Sequence, residues 1–446
     1  MDTTTERGVT YQELLDRDTH EVPDTLRIEQ PIDFDSDDIP VAAYTSRAVH
    51  EWEKERLWAR SWQMACREEH IPEVGDTHVY EIAGRSYLVV RTAAGEIKGY
   101  PNACLHRGRL LRDCSGPASE LRCAFHGFCW NLDGSLKDVP CPWDFPGLDP
   151  ISWSLPEVSV GTWGGFVFIN PDAASAPLST YIGDLTRHFE RWPLEDRYVQ
   201  AHVAKVIPCN WKACQEAFME SFHVVTTHPQ LLPGLGDTNA QYDIFGNWSR
   251  VIAANATPSP YLRWAPTEQE ILDSMMDRRL DEEPRFVVPA GQTARVAAAD
   301  RQRDALRRVL GDSVDDLCDA EMVDSLQYTL FPNFHPWGSY SRLVYRFRPN
   351  GDDHASSIMD VMVLSPYAGE RPAPAAVTEL GVDDDWTEAP ELGRLAKIFQ
   401  QDSFNLPSVQ RGLESTTKPG VTFSYYQETK IRHFYKLLDE CQAVEP

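Results

Sequence analysis

The sequence predicts an α+β protein of two domains, a small β domain followed by an antiparallel sheet packed with long helices. Three observations carry this expectation. At 446 residues the chain is long for a single core. Short β-rich runs, "THVYEIAG", "RSYLVVRTAAG" and "EIKGYPNA", follow one another from about residue 76 to 100 with glycine turns between them. Beyond residue 178 the pattern changes to longer strands mixed with long helices. The expected division is an N-terminal arm and helix over 1–59, a β domain over 60–171 and a second domain over 172–446.

In chain order, residues 1 to about 40 are polar and acidic and read as an irregular lead-in. "TSRAVHEWEKERLWARSW" reads as a helix, with Ser46 and Glu51 near its start and Val49, Trp52 and Trp58 available to one face. The β runs come next, and "WGGFVFINP" at 163–171 is their last strand. "YVQAHVAKVIP" is a strand, and a helix begins near Asn210. "QYDIFGNWSRVIAAN", "SRLVYRFRP" and "SSIMDVMVLSP" are strands, while "ELGRLAKIFQQDSFN" and "TKIRHFYKLLDECQ" are helices. The Pro- and charge-rich stretch 256–300 reads as a surface insertion, either a lid or a plain loop.

Composition narrows the function classes. The 68 acidic and 42 basic residues leave a net charge of −26, which argues against nucleic-acid or anionic-membrane surfaces and suits a soluble protein with a basic partner. No apolar run approaches the ~20 residues that span a bilayer. The N-terminus lacks the apolar stretch of a signal peptide. A cytoplasmic protein is therefore expected, in a compartment that keeps thiols reduced. Its ten cysteines are then packing residues or ligands, not a disulfide framework.

The stretch "CLHRGRLLRDCSGPASELRCAFH", 104–126, offers Cys104-x-His106 and, sixteen residues on, Cys123-x-x-His126. Each pair fits one tight turn, so two loops can pinch one inorganic centre. A structural zinc site of the Cys₂His₂ kind is one reading. Zinc fingers, however, keep cysteine with cysteine and histidine with histidine. One of each per loop suits a [2Fe–2S] cluster whose one iron takes two cysteines and the other two histidines. Gly108 and Gly127 beside the histidines, and the "NLDG" turn at 131–134, let backbone N–H groups approach cluster sulfides.

These residues resemble the Rieske domain, and within that class the domain of bacterial ring-hydroxylating oxygenases. Respiratory Rieske proteins carry an extra cysteine in each ligand loop, joined by a disulfide; the matching places here hold Arg109 and Ala124-Phe125. The resemblance then implies a potential toward the low end of the Rieske range, about −150 mV. Cys114, Cys129 and Cys141 read as packing residues.

A second constellation lies in "NWKACQEAFMESFHVVTTHPQ", 210–230. His223 and His228 stand five apart near a helix end closed by Pro229, so the helix must loosen for both to face one ion. The segment is similar to the iron-binding helix of Rieske non-heme iron oxygenases, in Asn210-Trp211-Lys212, Glu216, the acid at 220, the aromatic at 222 and the two histidines. The resemblance implies a 2-His-1-carboxylate facial triad, with positions left open for O₂. Its carboxylate is placed at Asp402 in "FQQDSFNLPSVQRGLES", with Asp360 as second choice. Glu220 stands where the family carries an acid, often Asp, that bridges the first iron histidine to a cluster histidine, here His126, across a subunit boundary. Glu216, one turn earlier, could contribute to that bridge. His335 in "YTLFPNFHPWG" reads as structural.

The resemblance, spanning about residues 45–435, implies a helix-grip (START/Bet v1-like) catalytic domain beside the Rieske domain. It implies the terminal oxygenase of a multicomponent system, an α₃ or α₃β₃ assembly fed by an NADH-dependent flavin reductase, a ferredoxin or both. Cis-dihydroxylation, monohydroxylation and oxidative demethylation all fit. Ala217, Phe218, Met219, Phe222 and Val224 around the histidines suggest an apolar, aromatic or polycyclic substrate. The rival from another class is a Rieske electron carrier or redox sensor fused to a non-catalytic ligand-binding domain.

Overall fold

The computed structural model describes residues 8–31, 34, 37–276 and 285–443. The chain separates into two compact units. One takes the chain up to Thr45, Gly183–Phe347 and everything from Ala355; the other takes Ser46–Ile182 with the hairpin tip Arg348–His354.

The second of these is the β unit. Strands Glu96–Pro101, Arg85–Ala93, Asp76–Ile82 and Gly116–Pro117 form one antiparallel sheet in that order. Ser159–Trp163, Phe166–Asn170 and Gln63–Arg67 form another. Gly164 and Gly165, both with positive φ (60° and 75°), make the two-residue turn between Trp163 and Phe166, a backbone path closed to most other residues. A third, short sheet joins Leu121–Arg122, Cys129–Trp130 and Leu136–Asp138. Leu88, Val90, Tyr100, Leu121, Phe128 and Trp130 fill its core, and Cys104 and Cys123 are buried among them. The helix read from 45 onward runs Arg47–Arg56, with Trp58 buried just beyond it.

The larger unit is built on an eight-stranded sheet. Its order is Leu235–Ile244, Trp248–Asn255, Ser325–Leu330, Phe334–Pro336, Leu343–Asn350, Asp353–Pro366, Arg197–Ile207 and Val377–Leu380. Neighbours are antiparallel except the last, parallel, pair. "QYDIFGNWSRVIAAN" therefore contributes a hairpin, turning at Phe245–Asn247. Helices Trp211–Glu216, Leu395–Ser415 and Thr429–Ala443 complete the α+β arrangement. Trp211 meets Phe434 edge-on at 5.8 Å between ring centroids, tying the first helix to the last.

Three expectations need correction. The lead-in is not irregular: Tyr11–Leu15 and Asp24–Arg27 are helical, the first closed by a Thr10–Glu13 capping box. Tyr11, Leu14, Leu15 and Leu26 are buried, the leucines each contributing about 1.5–3 kcal/mol, and Gln12 Nε2 donates to Gln241 Oε1 at 2.9 Å. Residues 1–7, 32–33 and 35–36 of that stretch lie outside the described residues. Second, 256–300 carries helix Glu268–Met275 and the start of Ala294–Leu310, with Ile271, Leu272, Ala294 and Ala299 buried; 277–284 lie outside the described residues. Charged outer faces masked an ordinary inward apolar stripe there. Third, Cys129 is buried as expected, but Cys114 and Cys141 are exposed and pack against no core.

Candidate metal centres

In the β unit the two ligand loops share one construction. Cys104 N–H donates to Arg109 O (2.8 Å), and Gly108 N–H donates to Cys104 O (2.9 Å). Cys123 N–H donates to Phe128 O (2.8 Å), and Gly127 N–H donates to Cys123 O (3.0 Å). Each loop is thus pinned at the cysteine and at the residues four and five beyond it. Gly108 and Gly127 sit at φ 75° and 82°, which is why glycine occupies both places. The cysteines are buried, His106 is half-buried and His126 exposed. The two imidazoles meet edge-on at 4.7 Å, and Phe128 stacks on His106 at 4.6 Å.

The donor set fits a cluster with sulfur inside and imidazole outside. Burial raises the Cys104 thiol above the ordinary cysteine value, so a thiolate there needs a cation at the sulfur. Burial, with His126 and Arg107 beside it, lowers His106's pKa and keeps its ring neutral. His106 Nδ1 is buried without a hydrogen-bond partner, an orphan that a metal would satisfy. Among the described residues, the group of three or more whose ligand atoms all fall within 4.8 Å is His223, His228 and Asp402.

In the larger unit, helix Trp211–Glu216 starts at Asn210, whose side chain accepts from Lys212 N–H, and stops at Ala217. A four-residue helix, Val224–Thr227, follows the break, with His223 and His228 as its two caps. Proline at 229 disfavours helical backbone at His228, which sits at φ −126°, ψ 53°. This break turns both rings toward one point, and their centroids lie 5.4 Å apart. Asp402 reaches them from the middle of helix Leu395–Ser415, on the buried stripe of Phe399 and Leu406. Its Oδ1 lies 2.6 Å from His228 Nε2 and 3.5 Å from His223 Nε2.

What stands behind each ring decides its chemistry. His223 Nδ1 lies 2.7 Å from Glu220 Oε1, and Glu220 Oε2 accepts the His223 N–H at 2.9 Å. Burial opposes charge on His223, but Glu220 and Asp402 more than offset it, and its pKa is raised. His228 Nδ1 donates to Gln401 Oε1 at 2.9 Å. The Nε2 atoms of both rings and Asp402 Oδ1 converge on one point, a two-imidazole, one-carboxylate donor set that fits a divalent metal. A cavity of about 920 Å³ opens beside His223 and Asp402. Ala213, Ala217, Leu406 and Val409 give it apolar walls, with Thr226 and Asn405 among the polar ones.

The remaining candidates lie elsewhere. Glu216 is buried between the hydroxyls of Tyr44 (3.0 Å) and Tyr435 (2.7 Å), and burial pushes its carboxyl up to about 8. Asp360 pairs with His202 (3.0 Å) and Arg346 (3.0 Å) inside the sheet. His335 sits between Thr329 and Gln215, each at 3.0 Å, as a structural residue would. Sequence reasoning missed Gln401; its place next to Asp402 was the available signal.

Residues 184–443 match the family described as ring hydroxylating alpha subunit (catalytic domain), and 61–149 match the Rieske [2Fe–2S] domain. The biphenyl 2,3-dioxygenase alpha subunit of Rhodococcus jostii (strain RHA1) is 34% identical over 203 residues, 44% of each chain. The chloroplastic choline monooxygenase of Beta vulgaris is 30% identical over 195 residues, 42% of this chain and 44% of the relative. The chain thus matches less than half the length of these relatives. Among solved structures, naphthalene 1,2-dioxygenase from Rhodococcus sp. bound to indole aligns with a TM-score of 0.60 at 21% identity, covering 92% of this chain and 95% of that one. A quaternary ammonium Rieske monooxygenase in complex with L-carnitine aligns at 0.63 and 19% identity, covering 91% and 95%. Both likenesses are of fold. Among the described residues no helix is long and apolar enough to cross a membrane.

Proposed function

Because the chain belongs to the ring-hydroxylating alpha subunit family and carries a Rieske domain, we propose that it is the terminal oxygenase of a multicomponent system, oxidising a neutral, largely apolar substrate with O₂ and NADH-derived electrons. The observation that carries this reading is the meeting of His223, His228 and Asp402, with an acceptor behind each imidazole. We assign the Rieske domain to 60–171 and the catalytic domain to 172–446, stretches that contain the matched residues 61–149 and 184–443.

Cys104 and Cys123 would hold the inner iron of the cluster, and His106 and His126 the outer one. His223, His228 and Asp402 would hold the mononuclear iron. When bound, the cluster supplies single electrons and the mononuclear iron the site of O₂ activation. Glu220 keeps the proton of His223 on Nδ1 and so directs Nε2 at the metal. It is also the residue we assign to the electron bridge, meeting His126 of a neighbouring copy in a head-to-tail α₃ or α₃β₃ ring. A flavin reductase, with or without a ferredoxin, would feed the cluster. The cavity beside His223 and Asp402 would give substrate an approach to a metal held there.

Relatives named for biphenyl and for choline point to different substrates. The cavity wall bears on this. Among the described residues, and apart from His223 and Asp402, its lining holds no acidic or basic residue, and Phe404 is its one aromatic side chain. A quaternary ammonium needs a carboxylate or several aromatic faces; a neutral ring needs neither. Reconstituted protein with a surrogate reductase should therefore consume NADH and O₂ with biphenyl or benzene and yield oxygenated product. Turnover of choline or carnitine alone would overturn the neutral-substrate reading, and no oxygenation of any substrate would overturn the oxygenase.

A further inference from the structure

Gln401 stands one residue before the carboxylate ligand candidate and touches the other helix of the site. Its Oε1 accepts from His228 Nδ1 at 2.9 Å and from Gln230 Nε2 at 2.8 Å. One amide oxygen thus serves both the imidazole Nδ1–H and the Gln230 amide. With the hydrogen held on Nδ1, His228 presents its Nε2 lone pair toward the centre. One short piece of helix Leu395–Ser415 thus supplies a ligand oxygen at Asp402 and, at Gln401, the group that aims a second ligand.

The two histidines are treated unequally. A carboxylate backs His223 and a neutral amide backs His228. A carboxylate partner makes the ring a stronger donor; an amide orients it without adding charge. Two carboxylates behind the rings would add to the acidic charge already gathered at Asp402.

We propose that Gln401 is a positioning residue for the mononuclear metal, holding His228 as the Nδ1–H tautomer through an amide oxygen that Gln230 steadies. This rests on the reading of His223, His228 and Asp402 as metal ligands. Removing such an orienting partner costs about 10–100-fold in metal affinity.

The test uses the full chain with its cluster in place, whose visible spectrum reports folding, and Co(II) as probe, followed by its own d–d absorption. Gln401→Met keeps length and removes the acceptor, so Co(II) should bind about 10–100-fold more weakly. Gln401→Glu restores an acceptor and should bind at least as tightly as wild type. Gln230→Met, at an exposed position, should weaken binding several-fold by releasing the amide. A role in packing alone gives the reverse order, Met tolerated and Glu disruptive, and would overturn the proposal. If Gln401→Met does not fold, the Glu and Gln230 variants decide, and wild-type affinity in Gln230→Met combined with loss in Gln401→Glu counts against it. Failure of wild type to bind Co(II) outside the cluster would instead overturn the ligand reading itself.

Discussion

The two centres are held in opposite ways. Around Cys104 and Cys123 the backbone does the holding: paired main-chain hydrogen bonds and one left-handed glycine shape each loop, and the sulfurs sit in a packed core. Around His223, His228 and Asp402 side chains do it, with Glu220 and Gln401 behind the rings and a broken helix between them. The first arrangement resists change and keeps solvent from the sulfurs. The second leaves space, a cavity of about 920 Å³, beside the ligands. A centre that only passes electrons can be closed, whereas one that must admit substrate cannot.

Substitutions should separate the two. The largest effect is expected from Cys123→Ser, which removes a buried sulfur ligand: the visible absorption of the cluster should vanish. Retention of a red-brown, dithionite-bleachable spectrum would break the assignment. Asp402→Ala should next lose the mononuclear metal, by more than about 100-fold in affinity, while acid-labile sulfide stays at the wild-type level. Iron at the wild-type stoichiometry in that variant would remove Asp402 from the triad.

Glu220→Gln should keep both metals and slow cluster reoxidation by about 10–100-fold in single turnover with substrate present. An unchanged rate would reduce Glu220 to a cap on His223. The smallest effect is a pH dependence at Glu216. Its folded carboxyl lies at about 8 against 4.5 when solvated, because burial disfavours the anion. Its raised pKa gives stability that is fully present below 4.5 and is lost as pH climbs through about 8. Over that window the unfolded chain releases a proton that the folded chain keeps, a loss of up to about 1.4 kcal/mol per pH unit. Glu216→Gln removes this slope, so its melting temperature relative to wild type should rise from pH 5 to 8. Parallel curves would show that Glu216 ionises freely in the fold.

Legibility followed sequence distance. Cys104, His106, Cys123 and His126 fall within 23 residues, and their alternation in two glycine-bearing loops already argued for a cluster over zinc. His223 and His228, five apart before a proline, foretold the helix break that the structure shows. The late helices and long strands were readable from periodicity. The lead-in and the 256–300 stretch were misread because charged outer faces hid Leu14, Leu15, Ile271 and Leu272: helix Tyr11–Leu15 packs on the distant strands Leu235–Ile244 and Trp248–Asn255, while Ile271 and Leu272 cluster locally with Ala256 and Ala294.

By itself, then, the sequence determined the local parts: donor types, their spacing, the glycines that let each loop turn, and the proline that ends a helix. These obey short-range rules of dihedral space and ligand chemistry. Tertiary structure brings the late carboxylate to the histidines. It chose Asp402 over Asp360, which the sheet spends on Arg346 and His202. It also set Gln401 behind His228 and enclosed Glu216 between Tyr44 and Tyr435, each pairing spanning more than 170 residues of chain. Contacts of that separation arise from packing of whole elements, and no local pattern encodes them.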